Sequence, residues 1–141
     1  MEFRKILVPV SGTDTDVETI KLACRLGKKD KSEVLAVYII PIEHSLPLDA
    51  EMTAEVKQAE AILNNAEKIA MAQGYEIETD LLQARNIGPS IIDEALERKA
   101  DLIVMGIYYT QRFGIHNVGD VIPYVLKNAP CRVILYQQSA E

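Results

Sequence analysis

The sequence predicts an α/β domain built on a doubly wound, five-stranded parallel sheet with helices on both faces. Two observations lead to this fold class. Most of the predicted strands are nearly continuous apolar runs, as expected for strands that are covered on both faces. Segments with apolar residues at helical spacing separate these runs. The resulting order, β-α-β-α-β-α-β-α-β with short links, is typical of a doubly wound sheet.

The five predicted strands follow the apolar runs of the chain. The run EIETDLL alternates more than the others, so we expect it to form an edge strand with one wetter face. The remaining runs have few polar residues and suit positions inside the sheet or beneath helices. The predicted strands are Lys5 to Val10, Glu33 to Ile40, Glu76 to Leu82, Asp101 to Gly106 and Arg132 to Tyr136.

Four helices are predicted between the strands, each with an apolar stripe. The first has Asp14 or Asp16 available as a cap, and the second ends at Gly74. The third starts at Gly88-Pro89 with proline in the first helical position, and the fourth ends at Asn128. The stripes are Val17, Ile20, Ala23, Cys24 and Gly27; Val56, Ala59, Leu63, Ala66 and Ala70; Ile91, Ile92, Ala95 and Leu96; and Val118, Val121, Ile122, Val125 and Leu126.

Right-handed crossovers leave few plausible strand orders, of which 3-2-1-4-5 and 2-1-3-4-5 are the common ones. Ligands of such folds bind beyond the carboxyl ends of the strands, where the strand order reverses. The loops richest in glycine and small polar residues are Ser11 to Thr13 and Gly106 to Gly119, which follow the first and fourth strands. This placement favours 3-2-1-4-5. The links at Pro41 to Asp49 and Ile107 to Asn117 are longer than usual, and long links in such domains often line a site.

Composition narrows the class of protein. A length of 141 residues, 48% hydrophobic and 26% charged, predicts a single globular domain over residues 1–141. The net charge of −6 disfavours nucleic acid as a partner. No apolar run approaches the ~20 residues of a membrane span, and the N-terminus lacks a signal-peptide pattern, so we expect a cytosolic protein. Cys24 and Cys131 are expected to be structural thiols.

Two segments carry a resemblance to a known family. One is GPSIIDEALERKADLIVMG, followed by Gly119 and VIPYVLKNAPCRVILY; the other is the opening KILVPVSGTDTDVETIKLACRLGKK. Together they resemble the universal stress protein family, and the resemblance covers essentially the whole chain. It implies an adenine-nucleotide alpha-hydrolase-like fold with strand order 3-2-1-4-5 and a role in stress response. It also implies a homodimer formed through the last strand, here Cys131 to Tyr136.

Many members of that family bind ATP or related nucleotides through a glycine motif that this sequence matches in part. The first and third glycines are Gly106 and Gly119, whereas the second falls on Tyr109 and the final hydroxyl position on Asp120. An aspartate that commonly contacts the nucleoside is replaced by Ser11. We expect Asp120 to cap the last helix with its own carboxylate, and a phosphate ~4–6 Å away would meet repulsion of the order of a kcal/mol. ATP binding is therefore expected to be weak or lost.

The resemblance and the loop positions together predict a nucleotide pocket. Arg112 and His116 could supply compensating positive charge from the loop, and Tyr109 could stack on a base. ATP or another adenine nucleotide is the possible cofactor, with no metal expected. The pocket comprises Pro9, Val10, Ser11, Gly12, Thr13, Val37, Ile39, Met105, Gly106, Tyr109, Arg112, Gly119 and Asp120.

Three classes of function remain open from the sequence. The leading one is a non-catalytic, dimeric stress protein that binds other macromolecules, of unknown identity, or small ligands. The second is an adenine-nucleotide-binding regulator using the altered loop from Gly106 to Asp120. The third, an enzyme that hydrolyses ATP or adenylates a substrate, is disfavoured because the sequence has no Walker loop, nucleophile elbow or metal-ligand cluster.

Overall fold

The computed structural model describes residues 2–107, 110–112, 115–117 and 120–137, with the side chains of 110–112 and 115–117 excepted. Within these ranges the predicted alternation of strands and helices is confirmed, and a short hairpin is added after the fourth strand. The elements are β1 (Lys5–Pro9), α1 (Thr15–Lys28), β2 (Glu33–Pro41), α2 (Thr53–Ala72), β3 (Glu78–Ala84), α3 (Ile87–Arg98), β4 (Leu102–Ile107), β5 (Thr110–Arg112), β6 (Ile115–Asn117), α4 (Val121–Asn128) and β7 (Arg132–Gln137).

The main sheet has five parallel strands in the order β3-β2-β1-β4-β7. Counted along the sheet's own strands, this is the predicted order 3-2-1-4-5, and 2-1-3-4-5 is wrong. The chain moves outward in one direction from β1 to β3 and in the other from β4 to β7. The carboxyl ends of β1 and β4 therefore lie at the point where the winding reverses, which is the expected position of a ligand site.

Helices cover both faces of the sheet, as predicted for a doubly wound fold. On one face, Val8 and Val104 pack beneath Ile20 of α1 and Leu63 of α2. The opposite face packs beneath α3 and α4. The buried residues between this face and the two helices are Leu7, Leu35, Val37, Ile39, Ile91, Ile92, Ala95, Ile103, Met105, Ile122 and Val125. In the described part of the chain, no helix has the length and apolar character needed to cross a membrane.

The predicted apolar stripes of the last two helices are partly wrong. Leu96 and Leu126 were expected to face the core, but they are 58% and 53% exposed. Each follows directly after a fully buried residue, Ala95 or Val125, and so is turned about 100° away from the sheet. Val118, assigned to the same stripe as Leu126, lies outside the described residues.

The start of α3 also differs from the prediction. Asn86 has extended backbone angles, and the helix begins at Ile87, so Pro89 stands third in the helix instead of first. Proline is tolerated there because the N–H groups of the first turn have no partner within the helix. The same argument holds for Pro123, which is third in α4. Gly74 follows the last turn of α2 with φ of 73°, as expected for a helix-ending glycine.

Part of the link predicted between β4 and α4 forms a small hairpin. β5 and β6 pair antiparallel, with Thr110 opposite Asn117 and Arg112 opposite Ile115. The hairpin is separate from the main sheet.

Candidate functional site

The carboxyl ends of β1 and β4 are joined by a close contact between Gly106 and α1. A Cβ atom added to Gly106 would lie 2.7 Å from Cβ and Oγ1 of Thr15. Real Cβ atoms do not approach that closely, so only glycine lets β4 come this near to α1. Gly106, predicted as a phosphate-loop glycine, therefore has a packing role here. The contact places the loop after β1 beside the end of β4.

A line of hydroxyl groups runs along the loop after β1. Oγ of Ser11 lies 2.8 Å from Oγ1 of Thr13, which in turn lies 2.8 Å from Oγ1 of Thr15. Ser11 is exposed, Thr13 is half-buried and Thr15 is buried beside Gly106. Each hydroxyl can donate one hydrogen bond and accept others. The line therefore presents groups that can adapt to either a donor or an acceptor on a ligand.

Asp16 fixes the conformation of this loop from within α1. Its carboxylate accepts the N–H of Ser11 at 3.0 Å on Oδ1 and the N–H of Gly12 at 2.7 Å on Oδ2. Gly12 has φ of 80°, a left-handed conformation that favours glycine. Burial raises the pKa of Asp16, and the N–H groups of Ser11 and Gly12 oppose that rise. Asp16 thus acts as an internal anion for these two N–H groups, which are then not free to bind an external anion.

The expected capping of α1 is wrong in its detail. Asp14 occupies the N-cap position but makes no side-chain hydrogen bond to the helix. Asp16 lies inside the helix, in its first turn, and reaches backward to Ser11 and Gly12. The backbone of Asp14 is already helical, with φ of −59° and ψ of −24°, whereas a capping side chain normally requires an extended backbone at that residue. This explains why Asp14 does not cap.

Several residues assigned to the pocket form its buried floor. The N–H of Val10 donates to the carbonyl oxygen of Val37 at 2.9 Å, which extends the pairing of β1 with β2 by one residue. The side chains of Val37, Ile39 and Met105 are packed in the core beneath α3 and α4. Pro9 is half-buried at the end of β1. These residues shape the site from below, and the exposed polar groups come from the loop.

A cleft of about 440 Å³ opens at the same edge of the sheet, between the first turns of α3 and α4. Arg85 supplies a positive charge there, and Asp120 supplies a negative one on the opposite wall. Tyr124 forms part of the α4 wall and is 38% exposed. The lining residues are Pro41, Arg85, Asn86, Ile87, Gly88, Pro89, Asp120, Val121 and Tyr124.

The expectation that Asp120 caps the last helix with its carboxylate is wrong. Asp120 holds the N-cap position of α4, but its side chain makes no hydrogen bond to the helix. Its φ of −106° and ψ of −10° differ from the extended angles of a capping residue, so the exposed carboxylate is not directed at the helix N–H groups. Its negative charge nevertheless remains beside the first turn of α4.

Three cleft residues were not among the predicted pocket residues: Arg85, Asn86 and Tyr124. Arg85 and Asn86 come directly after β3, so they reach the same carboxyl edge as the loops after β1 and β4. Their position directly after a predicted strand could have identified them as residues of the site. The guanidinium of Arg85 donates to the carbonyl oxygen of Glu43, which ties the loop after β2 to the cleft. Tyr124 could not have been predicted from the sequence, because its exposure depends on how α4 packs against α3.

Two of the predicted pocket residues, Tyr109 and Gly119, lie outside the described residues. Arg112 is placed on β5 and His116 on β6 by their backbones, and their side chains are likewise outside the description. Among the described residues, no group of three or more His, Cys, Asp or Glu is arranged to hold a metal ion. Both cysteines are free thiols, and burial raises the pKa of each.

With this fold and site in view, comparison with known proteins identifies the family. The family model described as "Universal stress protein family" matches residues 2–137. The chain belongs to the universal stress protein family. A universal stress protein of Methanocaldococcus jannaschii is 31% identical over 144 aligned positions, covering 96% of this chain and 83% of that protein.

Solved structures agree with this assignment. A universal stress protein from Archaeoglobus fulgidus is 25% identical, with a TM-score of 0.78 over 94% of this chain and 97% of that one. A structure of the universal stress protein from the same organism in complex with dAMP is 26% identical. Its TM-score is 0.75, covering 96% of this chain and 98% of that one. The predicted family and fold are thus confirmed, and at least one similar structure holds an adenine nucleotide.

Proposed function

We propose that this protein is a non-catalytic, cytoplasmic stress-response protein that acts as a homodimer through binding, with weak or lost affinity for ATP. Residues 1–141 would act as one domain. The observation that carries the proposal is the buried Asp16 carboxylate, which takes the N–H groups of Ser11 and Gly12. A ligand that needs these donors would have to displace an internal carboxylate, and each such charge-assisted hydrogen bond is stronger than a neutral one.

The negative charge of Asp120 on the α4 wall of the cleft also supports weak binding of ATP. Asp120 keeps an exposed carboxylate beside the first turn of α4, where the family's motif has a hydroxyl. At about 4 Å from a phosphate oxygen, one like charge opposes binding by about 1 kcal/mol in a wet site. Arg85 keeps its positive charge on the opposite wall, but its guanidinium already donates to the carbonyl oxygen of Glu43, so that N–H group is not free for a ligand.

The chemistry of the cleft supports a binding role in preference to catalysis. None of the described residues that line it is a serine, threonine, cysteine, histidine or lysine. Serine, threonine, cysteine, histidine and lysine are common catalytic nucleophiles and bases, so the described lining offers only Asp120 and Tyr124 for such a role. The hydroxyl line at Ser11, Thr13 and Thr15 is connected to Asp16, whose two oxygens are already engaged by backbone N–H groups.

The edge strand β7 supports dimerisation. Its four central residues are the apolar sequence VILY, and it pairs with β4 on one side only. An edge strand with free N–H and C=O groups and apolar side chains is a natural place for a second chain to pair. We propose that two copies meet through Cys131 to Tyr136, as the sequence resemblance implied.

A second candidate function is an adenine-nucleotide-binding regulator that uses the altered loop. It is favoured by the missing side-chain cap on α4, which leaves the first N–H groups of that helix available to a phosphate. The dAMP complex of a similar universal stress protein points in the same direction. The two candidates differ only in nucleotide affinity, so a single type of measurement separates them.

Isothermal titration calorimetry with ATP and magnesium, ADP, AMP, dAMP and cAMP tests the leading proposal. We expect no binding at micromolar concentrations for the wild-type protein. A low-micromolar dissociation constant for any of these ligands would establish the second candidate in place of the first. Turnover of ATP in the same samples would contradict the non-catalytic part of the proposal.

A variant locates the cause of weak binding. Asp120→Ser replaces the carboxylate with the hydroxyl of the family's motif and should increase ATP affinity about fivefold, which corresponds to removal of ~1 kcal/mol of repulsion. Asp93→Ser changes an exposed acid of α3 outside this cleft and should leave the affinity unchanged. Equal affinity of Asp120→Ser and wild type would show that Asp120 is not the obstacle.

A further inference from the structure

A cluster of charged side chains joins α3 to the edge strand β3, away from the proposed nucleotide site. Arg98 of α3 is at its centre. Its Nη2 lies 3.1 Å from Oδ2 of Asp80, and its Nη1 lies 3.8 Å from Oε2 of Glu78. Its Nε lies 3.6 Å from Oε2 of Glu94, one helical turn away. One guanidinium thus faces three carboxyl groups, so full ionisation would leave excess negative charge in the contact.

Glu94 is the exceptional member of the cluster. Its side chain is only 5% exposed, compared with 62% for Glu78 and 27% for Asp80. Its Oε2 is buried and has no hydrogen-bond partner within the described part of the chain. A charged carboxylate oxygen in such a place is costly unless it is fully hydrogen-bonded. The neutral, protonated carboxyl avoids most of this cost, and it can donate to the neighbouring carboxylate of Asp80.

The protonation behaviour of Glu94 agrees with this geometry. The pKa of Glu94 is raised from 4.5 to about 7, first by burial, then by a hydrogen bond to Asp80 and the charge of Asp80, and least by the charge of Glu97. Arg98 lowers the pKa, but not enough to cancel these effects. Glu94 in the folded protein therefore changes its charge near neutral pH.

Other charged groups around the cluster are already paired or exposed. Lys5 of β1 lies 3.6 Å from Glu33 of β2. Asp93 and Glu97 of α3 are exposed acids on either side of Glu94 and add negative charge. The neighbouring elements contribute three further titratable side chains: Arg85 before α3, and Tyr124 and Lys127 on α4.

We infer that α3 is held against β3 by a proton shared between Glu94 and Asp80, and that loss of this proton loosens α3. The consequence reaches the ligand-binding edge of the sheet. Asn86 and Pro89 line the cleft between α3 and α4, and they also line a groove of about 380 Å³ between β3 and α3. Glu94 lines that groove. A rise in pH through neutrality would thus free one wall of the cleft.

The sign of the stability change follows from the direction of the shift. The folded protein binds the Glu94 proton more tightly than the unfolded chain does. The contribution of Glu94 is therefore fully present below pH about 4.5 and is lost as the pH rises through about 7. Between pH 5.5 and 8.5 this single group should increase the unfolding equilibrium constant about thirtyfold.

Chemical denaturation from pH 5.5 to 8.5 tests the inference with Glu94→Gln and the matched control Glu97→Gln. Glutamine keeps the shape of the side chain and cannot ionise, so the Glu94→Gln profile should lack the thirtyfold change that the wild type shows. Glu97 is an exposed acid in the same helix and makes the smallest contribution to the raised pKa of Glu94, so Glu97→Gln should retain most of the thirtyfold change. If Glu94→Gln and wild type show the same pH dependence, the inference is wrong.

Two measurements on the wild-type protein remain decisive if Glu94→Gln does not fold. Carboxyl-carbon NMR titration should give Glu94 an apparent pKa near neutrality, and a value below about 5 would refute the shared proton. Hydrogen exchange corrected for intrinsic rates should show the amides of α3 losing protection between pH 6 and 8, while those of α1 do not. Equal changes in both helices would contradict loosening at α3.

Discussion

The two edge strands of the sheet, β3 and β7, each pair with a neighbouring strand on one side only, and they differ in how the other side is protected. β3 contains the polar residues Glu78, Thr79 and Asp80, and Arg98 binds two of them. At the other end of β3, Gln83 donates to the carbonyl oxygens of Leu48 at 2.8 Å and of Ala50 at 3.1 Å. These contacts bring the loop after β2 to the β3 edge. The edge is thus occupied by groups of its own chain.

β7 has a different character. Between Arg132 and Gln137 its residues are apolar or aromatic, and each is half-buried. Exposed sheet edges invite pairing with another chain, and polar residues or covering segments prevent it. β3 carries both of these protections along its length, whereas β7 has polar residues only at its ends. The difference teaches that the two edges are not equivalent: β3 is protected by its own chain, and β7 is the edge through which we propose that a second copy pairs.

The largest expected effect comes from placing a charge on each edge in turn. Leu135 of β7 and Leu82 of β3 are both half-buried leucines on the α3–α4 face of the sheet. Leu135→Lys would bring two like charges together across a two-fold dimer and should weaken association at least 100-fold, or by about 2.7 kcal/mol. Leu82→Lys is the matched control and should leave the mass unchanged. Sedimentation velocity measures both variants.

Either of two results would remove the distinction between the edges. A wild-type protein that is monomeric at micromolar concentration would show that β7 does not pair in solution. A dimer that dissociates equally in Leu82→Lys and Leu135→Lys would show that the charge acts through general instability. Circular dichroism of both variants identifies such instability.

A smaller effect is expected from the charge cluster that protects β3. Arg98→Met removes the cation from Asp80 and from buried Glu94 but keeps much of the side-chain volume. Hydrogen bonds to charged groups contribute about 1.5–3 kcal/mol, and partial exposure of Arg98 favours the lower value. We expect a loss of about 1.5 kcal/mol in the free energy of unfolding, measured in urea at pH 7. Arg25→Met, in the exposed last turn of α1, should change it by less than about 0.5 kcal/mol.

The smallest effect is expected at Gln83. Gln83→Ala removes two hydrogen bonds to the loop after β2, which are partly open to solvent, and should destabilise the fold by about 1 kcal/mol. The same variant should speed hydrogen exchange in residues 44–50. Gln58→Ala, at an exposed position of α2, provides the comparison and should leave exchange in this loop unchanged. Unaltered exchange in Gln83→Ala would mean that these bonds do not hold the loop.

Much of the fold was predictable because hydrophobic pattern and chain order determine it. The strand order followed from the position of two polar loops, after Pro9 and after Gly106, and these do lie at the carboxyl ends of neighbouring strands. Helix exposure was less predictable. Leu96 and Leu126 fit an apolar stripe in sequence, but only the packing of short helices on the sheet decides which side of the stripe is covered.

The chemistry of the site was harder to predict than its position. Asp14, Asp16 and Asp120 all stand near helix starts, where an acid usually caps the helix. None of them does so, because capping depends on backbone angles that the sequence does not specify. Asp16 instead binds the loop before it. The position of Arg85 at the cleft could have been predicted only from the end of β3, because Arg85 directly follows that strand.

The contact between Gly106 and Thr15 has a mechanical consequence. Because no side chain separates β4 from α1, and hydroxyl contacts continue from Thr15 to Ser11, the loop after β1 cannot shift without pushing on the end of β4. The loop after β1 and the end of β4 are therefore expected to move together. A ligand that displaces Ser11 is therefore expected to displace the end of β4 at Ile107, the last residue of that strand.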